Sequence, residues 1–173
     1  MQRNIVLIGM PASGKSTIGV LLAKTIGVGF VDTDLLIQQR EHRLLQEIMD
    51  TDGIGYFLDT ECAAVLDLDC QNTVIATGGS VVFRAAAMQK LRQNGTVVFL
   101  DVSLETVKRR LNNIKTRGVV ADKGQSIDEI FYERLPYYRK YADIVLPSDG
   151  KTSEETVSDS VSYTHLTLPT IRL

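Results

Sequence analysis

A strand-like run, Ile5-Val6-Leu7-Ile8, leads straight into Gly9-Met10-Pro11-Ala12-Ser13-Gly14-Lys15-Ser16, and helical spacing over residues 16–26 follows at once. This is G-x-x-x-x-G-K-[ST] in the strand–loop–helix setting that gives the pattern its meaning. A run apolar at every position is a strand buried on both faces, so the chain must build a parallel sheet with helices on both sides. The loop's successive N–H groups and the helix N-terminus make a positive nest for phosphate oxygens. Gly14 allows close backbone approach, Lys15 reaches the β- and γ-phosphates, and Ser16 can ligand Mg²⁺. Gly9, Ala12, Ser13, Gly14, Lys15, Ser16 and Thr17 are therefore the expected ATP contacts.

The remainder of the chain repeats the alternation of apolar run and helical period. Strands are expected at 30–31, 73–77, 96–100 and 144–146, giving five with the first. Helices are expected at 35–39, 44–50, 56–68, 83–93, 104–112, 127–141 and 152–160, with Gly53 and Gly55 breaking the chain and Pro136 kinking or dividing its helix. The fold class is thus α/β: three layers, a five-stranded parallel sheet with right-handed crossovers. Ligands bind beyond the carboxyl ends of such strands. The Gly9 loop, Asp32/Asp34 and Gly78/Gly79 all fall there. Residues 114–126 are polar and glycine-containing, a length of loop that usually serves as a lid.

Asp32 and Asp34 carry two readings. An acid at a strand end can hold Mg²⁺ as the Walker B acid does; Asp also commonly caps the next helix. Side chains at i and i+2 diverge, so one can serve the metal and the other an acceptor hydroxyl.

Charge and composition narrow the field. Nineteen basic against 21 acidic residues provide no positive field for nucleic acid. No run of 18 apolar residues exists to span a membrane, and the start lacks a signal peptide, so a cytoplasmic location is expected. Cys62 and Cys70 have no metal-ligand spacing and read as free thiols. His42 and His165 are assigned no role. Asn112-Asn113-Ile114-Lys115 does not supply the N-K-x-D of a guanine-nucleotide switch.

The last stretch stands apart. Val161-Ser162-Tyr163-Thr164-His165-Leu166-Thr167-Leu168-Pro169-Thr170 has no helical period and resembles one reading frame of a transposon-end adapter used in sequencing libraries. Ser160 and Ile171 agree with that frame. A single domain over 1–160 is expected, with 161–173 a non-native tail and the final helix truncated.

A phosphate loop, D-x-D, Gly-Gly after the third strand, a basic lid and R-x-P-x-Y, in this order over about residues 4–160, resembles the shikimate kinase family. That resemblance implies a nucleoside-monophosphate-kinase type of sheet and transfer of the ATP γ-phosphate to a ring hydroxyl of shikimate. It implies that Lys15 stabilises the transferring phosphate and that Ser16 binds Mg²⁺ with Asp32 behind a water. Asp34 would bind the acceptor hydroxyls and orient or deprotonate the attacking one. Gly78 and Gly79 would offer N–H groups to the acceptor. Glu61 matches the acid of the family's F-R-x-x-E, Arg117 the lid arginine, and Arg110 an arginine near the adenine. Arg134, in Arg134-Leu135-Pro136-Tyr137-Tyr138, matches the arginine that pairs with the acceptor carboxylate. The implied partners are ATP and a small hydroxylated acid, bound by a monomer.

Three positions depart from the family pattern: Ala12 for a loop glycine, Gly118-Val119-Val120 after Arg117 in the lid, and Leu58 where an arginine is expected. Losing a bidentate carboxylate contact costs about 2–5 kcal/mol unless something replaces it. Arg84 and Arg134 are the candidate replacements. A different acceptor, a sugar acid or nucleotide, is the rival reading, with a non-catalytic ATP-binding module behind it. Binding alone would not require Lys15, Ser16, Asp32 and Arg117 together.

Overall fold

A computed structural model describes residues 3–112, 119 and 124–167, with the side chains of 112 and 164–167 excluded. Strand β1 (Asn4–Ile8) lies at the centre of a five-stranded sheet. Around it stand β2 (Gly29–Asp32), β3 (Thr73–Ala76), β4 (Gly95–Asp101) and β5 (Ile144–Pro147), in the order β2-β3-β1-β4-β5. Every pairing is parallel, and Val6 sits in register with Ile75 on one side and Val97 on the other. All five expected strands form.

Strand alternation divides β1 between two cores. Ile5 and Leu7 face a cluster with Ile18, Leu22, Leu146 and Val157, from α1 (Lys15–Ile26), β5 and α7 (Ser153–Thr167). Val6 and Ile8 face the opposite cluster. It draws on α3 (Leu45–Leu66), α4 (Ala85–Asn94), α5 (Leu104–Asn112) and α6 (Ile127–Tyr141) through Val65, Met88, Val107, Ile130 and Tyr138. Both faces of the sheet are thereby covered, as a parallel sheet requires. A third, small cluster joins α2 (Thr33–Glu41) to α3 through Ile37, Ile48 and Phe57.

Differences from the sequence expectation have local causes. Gly53 breaks α3, with φ 86 and ψ 167, whereas Gly55 lies within its second helical part. Helix α6 continues through Pro136 instead of dividing. The missing N–H would have bonded the carbonyl of Tyr132, a residue 64% exposed, where water can take its place. Helix α7 extends to Thr167, past the expected end at 160. Ser160 and Ser162 there donate to the carbonyls of Thr156 and Ser158 at 2.8 and 3.0 Å, and Val161 packs against the Leu22 cluster. The lid expected at 114–126 lies mostly outside the described residues. Its end is described: Ser126 caps α6, its Oγ accepting from Glu129 N at 3.2 Å while Glu129 Oε2 accepts from Ser126 N at 2.7 Å.

Candidate functional site

The phosphate loop joins β1 to α1, with Gly14 as N-cap of α1 at φ 100. Ala12 also lies in the left-handed region, at φ 61. Lys15 is buried and folds back along the loop, donating to Gly9 O at 2.8 Å, Met10 O at 2.7 Å and Ser13 Oγ at 3.3 Å. Its ammonium thus stands inside the curve of the loop. Arg110, from the last turn of α5, donates from Nη1 to Ala12 O and Ser13 O, both at 3.1 Å. It braces the loop from outside.

Loop residues line two cavities. One, of about 260 Å³, is lined by Pro11, Lys15, Ser16, Asp32, Asp34 and Gly78, among others that include Gly79 and Arg134. The other, of about 390 Å³, is lined by Ala12, Ser13, Gly14, Thr17 and Arg110 with Ser148, Lys151 and Thr156 of the β5–α7 region. Four residues assigned to an acceptor, Asp34, Gly78, Gly79 and Arg134, therefore share the first cleft with Lys15 and Ser16. Ala12, Ser13, Gly14 and Thr17 line the second with Arg110, and Gly9 and Glu61 line neither.

Asp32 engages both of its oxygens, one in the helix cap and one towards the phosphate loop. Oδ1 accepts from Asp34 N at 3.0 Å and Leu35 N at 3.4 Å, capping α2. Oδ2 accepts from Ser16 Oγ at 2.6 Å. Asp34, in the first turn of α2, lines the acceptor cleft.

The turn after β3 is fixed from three sides. Gly78 N donates to Thr33 Oγ1 at 3.3 Å. Ser80 Oγ donates to Glu61 Oε2 at 2.7 Å. Tyr138 OH donates to Gly79 O at 2.6 Å. Neither glycine has room for a side chain. A Cβ on Gly78 would collide with Glu61 Oε1 and stand 2.8 Å from Asp34 Oδ1; one on Gly79 would meet Pro11 Cδ at 2.8 Å and Arg134 Nη1 at 3.1 Å. The Gly-Gly pair is required so that four different elements can close on one cleft.

Burial dominates the electrostatics. Desolvation pushes the Glu61 carboxyl up to about 8, with Asp34 adding to the rise, while the Ser80 hydroxyl, Arg134 and Lys15 pull the other way. Burial likewise raises the Tyr138 phenol, against Arg134. Arg134 is 2% exposed and holds its guanidinium carbon 5.3 Å from the centre of the Phe83 ring. With Lys15 it is one of two buried cations that line the acceptor cleft. Arg84 is not: it pairs with Asp59 on the outside of α3, at 2.8 Å. Leu58 packs against the Ile37–Ile48–Phe57 cluster. Arg117 lies outside the described residues.

Sequence reasoning overlooked Thr33, Ser80 and Tyr138 as site-building residues. Tyr138 closes the R-x-P-x-Y pattern and was visible in it; nothing local marks the other two. The cysteines are free thiols, as expected. Among the described residues no helix is long and apolar enough to cross a membrane, and no cluster of three or more His, Cys, Asp or Glu is poised to hold a metal alone.

Comparison with known proteins agrees with this arrangement. The family model for shikimate kinase matches residues 11–164. A shikimate kinase of Persephonella marina is 37% identical over 158 residues, covering 91% of this chain and 96% of that protein. One from Paracidovorax citrulli is 40% identical over 157 residues, covering 87% and 85%. The crystal structure of shikimate kinase from Aquifex aeolicus superposes with TM-score 0.81 at 34% identity, covering 95% of this chain and 98% of that one. The fold also matches, at TM-score 0.88 and 24% identity, shikimate kinase from Acinetobacter baumannii in complex with shikimate, over 96% and 95% of the two chains. The chain belongs to the shikimate kinase family.

Proposed function

We propose that this protein transfers the γ-phosphoryl group of ATP to a ring hydroxyl of shikimate, releasing ADP and shikimate 3-phosphate. The observation that carries this reading is the placement of Lys15, Asp34, Gly78, Gly79 and Arg134 around one cleft beside the phosphate loop. In the reaction the acceptor oxygen bonds to the γ-phosphorus, the bridging β–γ oxygen leaves with ADP, and the hydroxyl proton passes to the carboxylate of Asp34. Lys15 spreads the charge that develops on the transferring group. The second cleft, with Thr17, Arg110 and Lys151, suits the rest of the nucleotide. Arg134 supplies the positive charge for the acceptor carboxylate, a role that Leu58 cannot share.

Ser16 Oγ and Asp32 Oδ2, hard oxygen donors 2.6 Å apart, fit an ion that takes few protein ligands and completes its shell with water and phosphate. They would hold Mg²⁺, which when bound neutralises charge on the phosphates. Arg117 is assigned to the lid side of the same phosphates.

Coupled ADP release, measured with shikimate and with polyols lacking a carboxylate, tests the proposal. Shikimate-dependent turnover that disappears in Lys15→Ala supports it. An inert shikimate beside an active polyol, or equal rates for Lys15→Ala and the parent, would overturn it.

A further inference from the structure

Behind the acceptor cleft lies a buried carboxyl that the transfer itself does not use. Glu61 is 1% exposed. Its Oε2 accepts from Ser80, and its Oε1 is buried with no hydrogen-bond partner. That orphaned oxygen and Asp34 Oδ1 both crowd the position of a Cβ on Gly78, so two carboxyl groups converge on one face of one glycine. The groups that face Glu61 are Asp34 from α2, Lys15 from α1, Arg134 and Tyr138 from α6, and Ser80 from the turn. The family's arginine beside this acid would add a cation on α3 itself. Leu58 instead turns into an apolar cluster and contributes none.

Resting on the kinase reading, we infer that Glu61 acts in this chain as a neutral carboxylic acid, a positioning residue that holds the 78–80 turn from behind without adding a second negative charge to the acceptor site. Its proton has a defined place. Oε2 already receives the hydrogen of Ser80, which leaves Oε1, on the side of Asp34, to carry it. A buried acid next to a like charge keeps its proton because ionisation would cost both desolvation and repulsion. Ionised, Glu61 would repel Asp34 and the carboxylate of an incoming acceptor, while leaving the nucleotide cleft on the far side of the loop untouched. Leu58, turned into its apolar cluster, adds no positive charge to this environment.

Infrared difference spectra of the full chain without ligands test the protonation directly. The parent protein should show a protonated-carboxyl band at neutral pH that fades as pH rises through about 8. The band should be missing from Glu61→Gln and from Leu58→Arg. Kinetics supply a second readout. In the parent, KM for shikimate should climb by roughly tenfold per pH unit above that point, with KM for ATP flat; in Glu61→Gln the climb should vanish. A band that survives in Glu61→Gln, or identical KM profiles in the two proteins, overturns the inference. If shikimate is not turned over at all, the kinase reading fails while the spectra still decide the state of Glu61.

Discussion

The hydroxyl of Ser16 donates to Oδ2 of Asp32 at 2.6 Å, while the other oxygen of the same carboxylate caps α2. One side chain thus joins the phosphate loop to the helix that carries Asp34. The two duties are separable by substitution. Asp32→Asn keeps an oxygen for the cap but removes the charge, so stability should fall by less than about 1 kcal/mol, since Asn caps nearly as well as Asp. The Mg²⁺ concentration for half-maximal rate should rise at least about tenfold, the equivalent of ~1.4 kcal/mol. Asp32→Ala should lose about a further 1 kcal/mol of stability with the cap. Urea melts and Mg²⁺ titrations of the rate check both; equal stability losses for Asn and Ala would refute the division of labour.

Arg134 is the buried arginine of the acceptor cleft, Lys15 is turned onto the phosphate-loop carbonyls, and Leu58 offers no further cation. Arg134→Met should therefore raise KM for shikimate steeply. Truncating one partner of a buried charge pair costs about 2–5 kcal/mol, or roughly 30-fold to several thousandfold in kcat/KM. KM for ATP should change by less than about threefold, because the nucleotide cleft lies on the other side of the loop. Initial rates with each substrate varied in turn measure the split. A matching rise in both would place Arg134 in the support of the whole fold instead.

How far the sequence could be read depended on sequence separation. The phosphate loop, β1 and α1 were legible because strand, loop and helix are contiguous and each local signal agrees with the others. The two readings of Asp32 could not be separated in the sequence because a carboxylate has two oxygens: one caps α2, and the other is engaged by Ser16 of the phosphate loop. Ser80 and Thr33 were invisible because their partners, Glu61 and Gly78, lie 19 and 45 residues away. The helix over 127–141 was legible despite Pro136, which does not divide it: the cost of a proline depends on which carbonyl it strands, and Tyr132 faces solvent. The continuation of α7 past residue 160 rests on Val161 meeting the Leu22 cluster, a contact no helical period announces.

Glu61 should also leave a mark on stability. Its ordinary value of 4.5 is raised to about 8 in the folded chain, so between these the native state binds more protons than the unfolded state. Stability then falls as pH rises: the contribution is fully present below 4.5 and is lost by the time pH passes about 8. The full span corresponds to a few kcal/mol, at ~1.4 kcal/mol per unit. Glu61→Gln cannot ionise, so the parent should lose stability relative to this variant across that window. Urea denaturation at several pH values reads the difference. A gap independent of pH would mean that Glu61 does not hold its proton in the native state.

Ala12 and Arg110 together offer the last test. Ala12 holds φ at 61, a region where a Cβ costs about 1–2 kcal/mol relative to glycine. Its carbonyl and that of Ser13 are held at 3.1 Å by Arg110, which keeps the loop in this conformation from outside. Ala12→Gly relieves the strain but frees the unfolded backbone, so the net gain should be about 0.5–1 kcal/mol. Arg110→Ala should weaken ATP binding, since the loop loses its brace as well as a cation at the nucleotide cleft. If the brace chiefly counters the strain at Ala12, the two changes will not be additive. Arg110→Ala should cost less stability in the Ala12→Gly background, with a coupling of about 0.5 kcal/mol or more for residues in direct contact. A double-mutant cycle by urea denaturation, with ATP affinity measured on the same four proteins, gives the answer. Strict additivity would leave Arg110 as a nucleotide contact and nothing more.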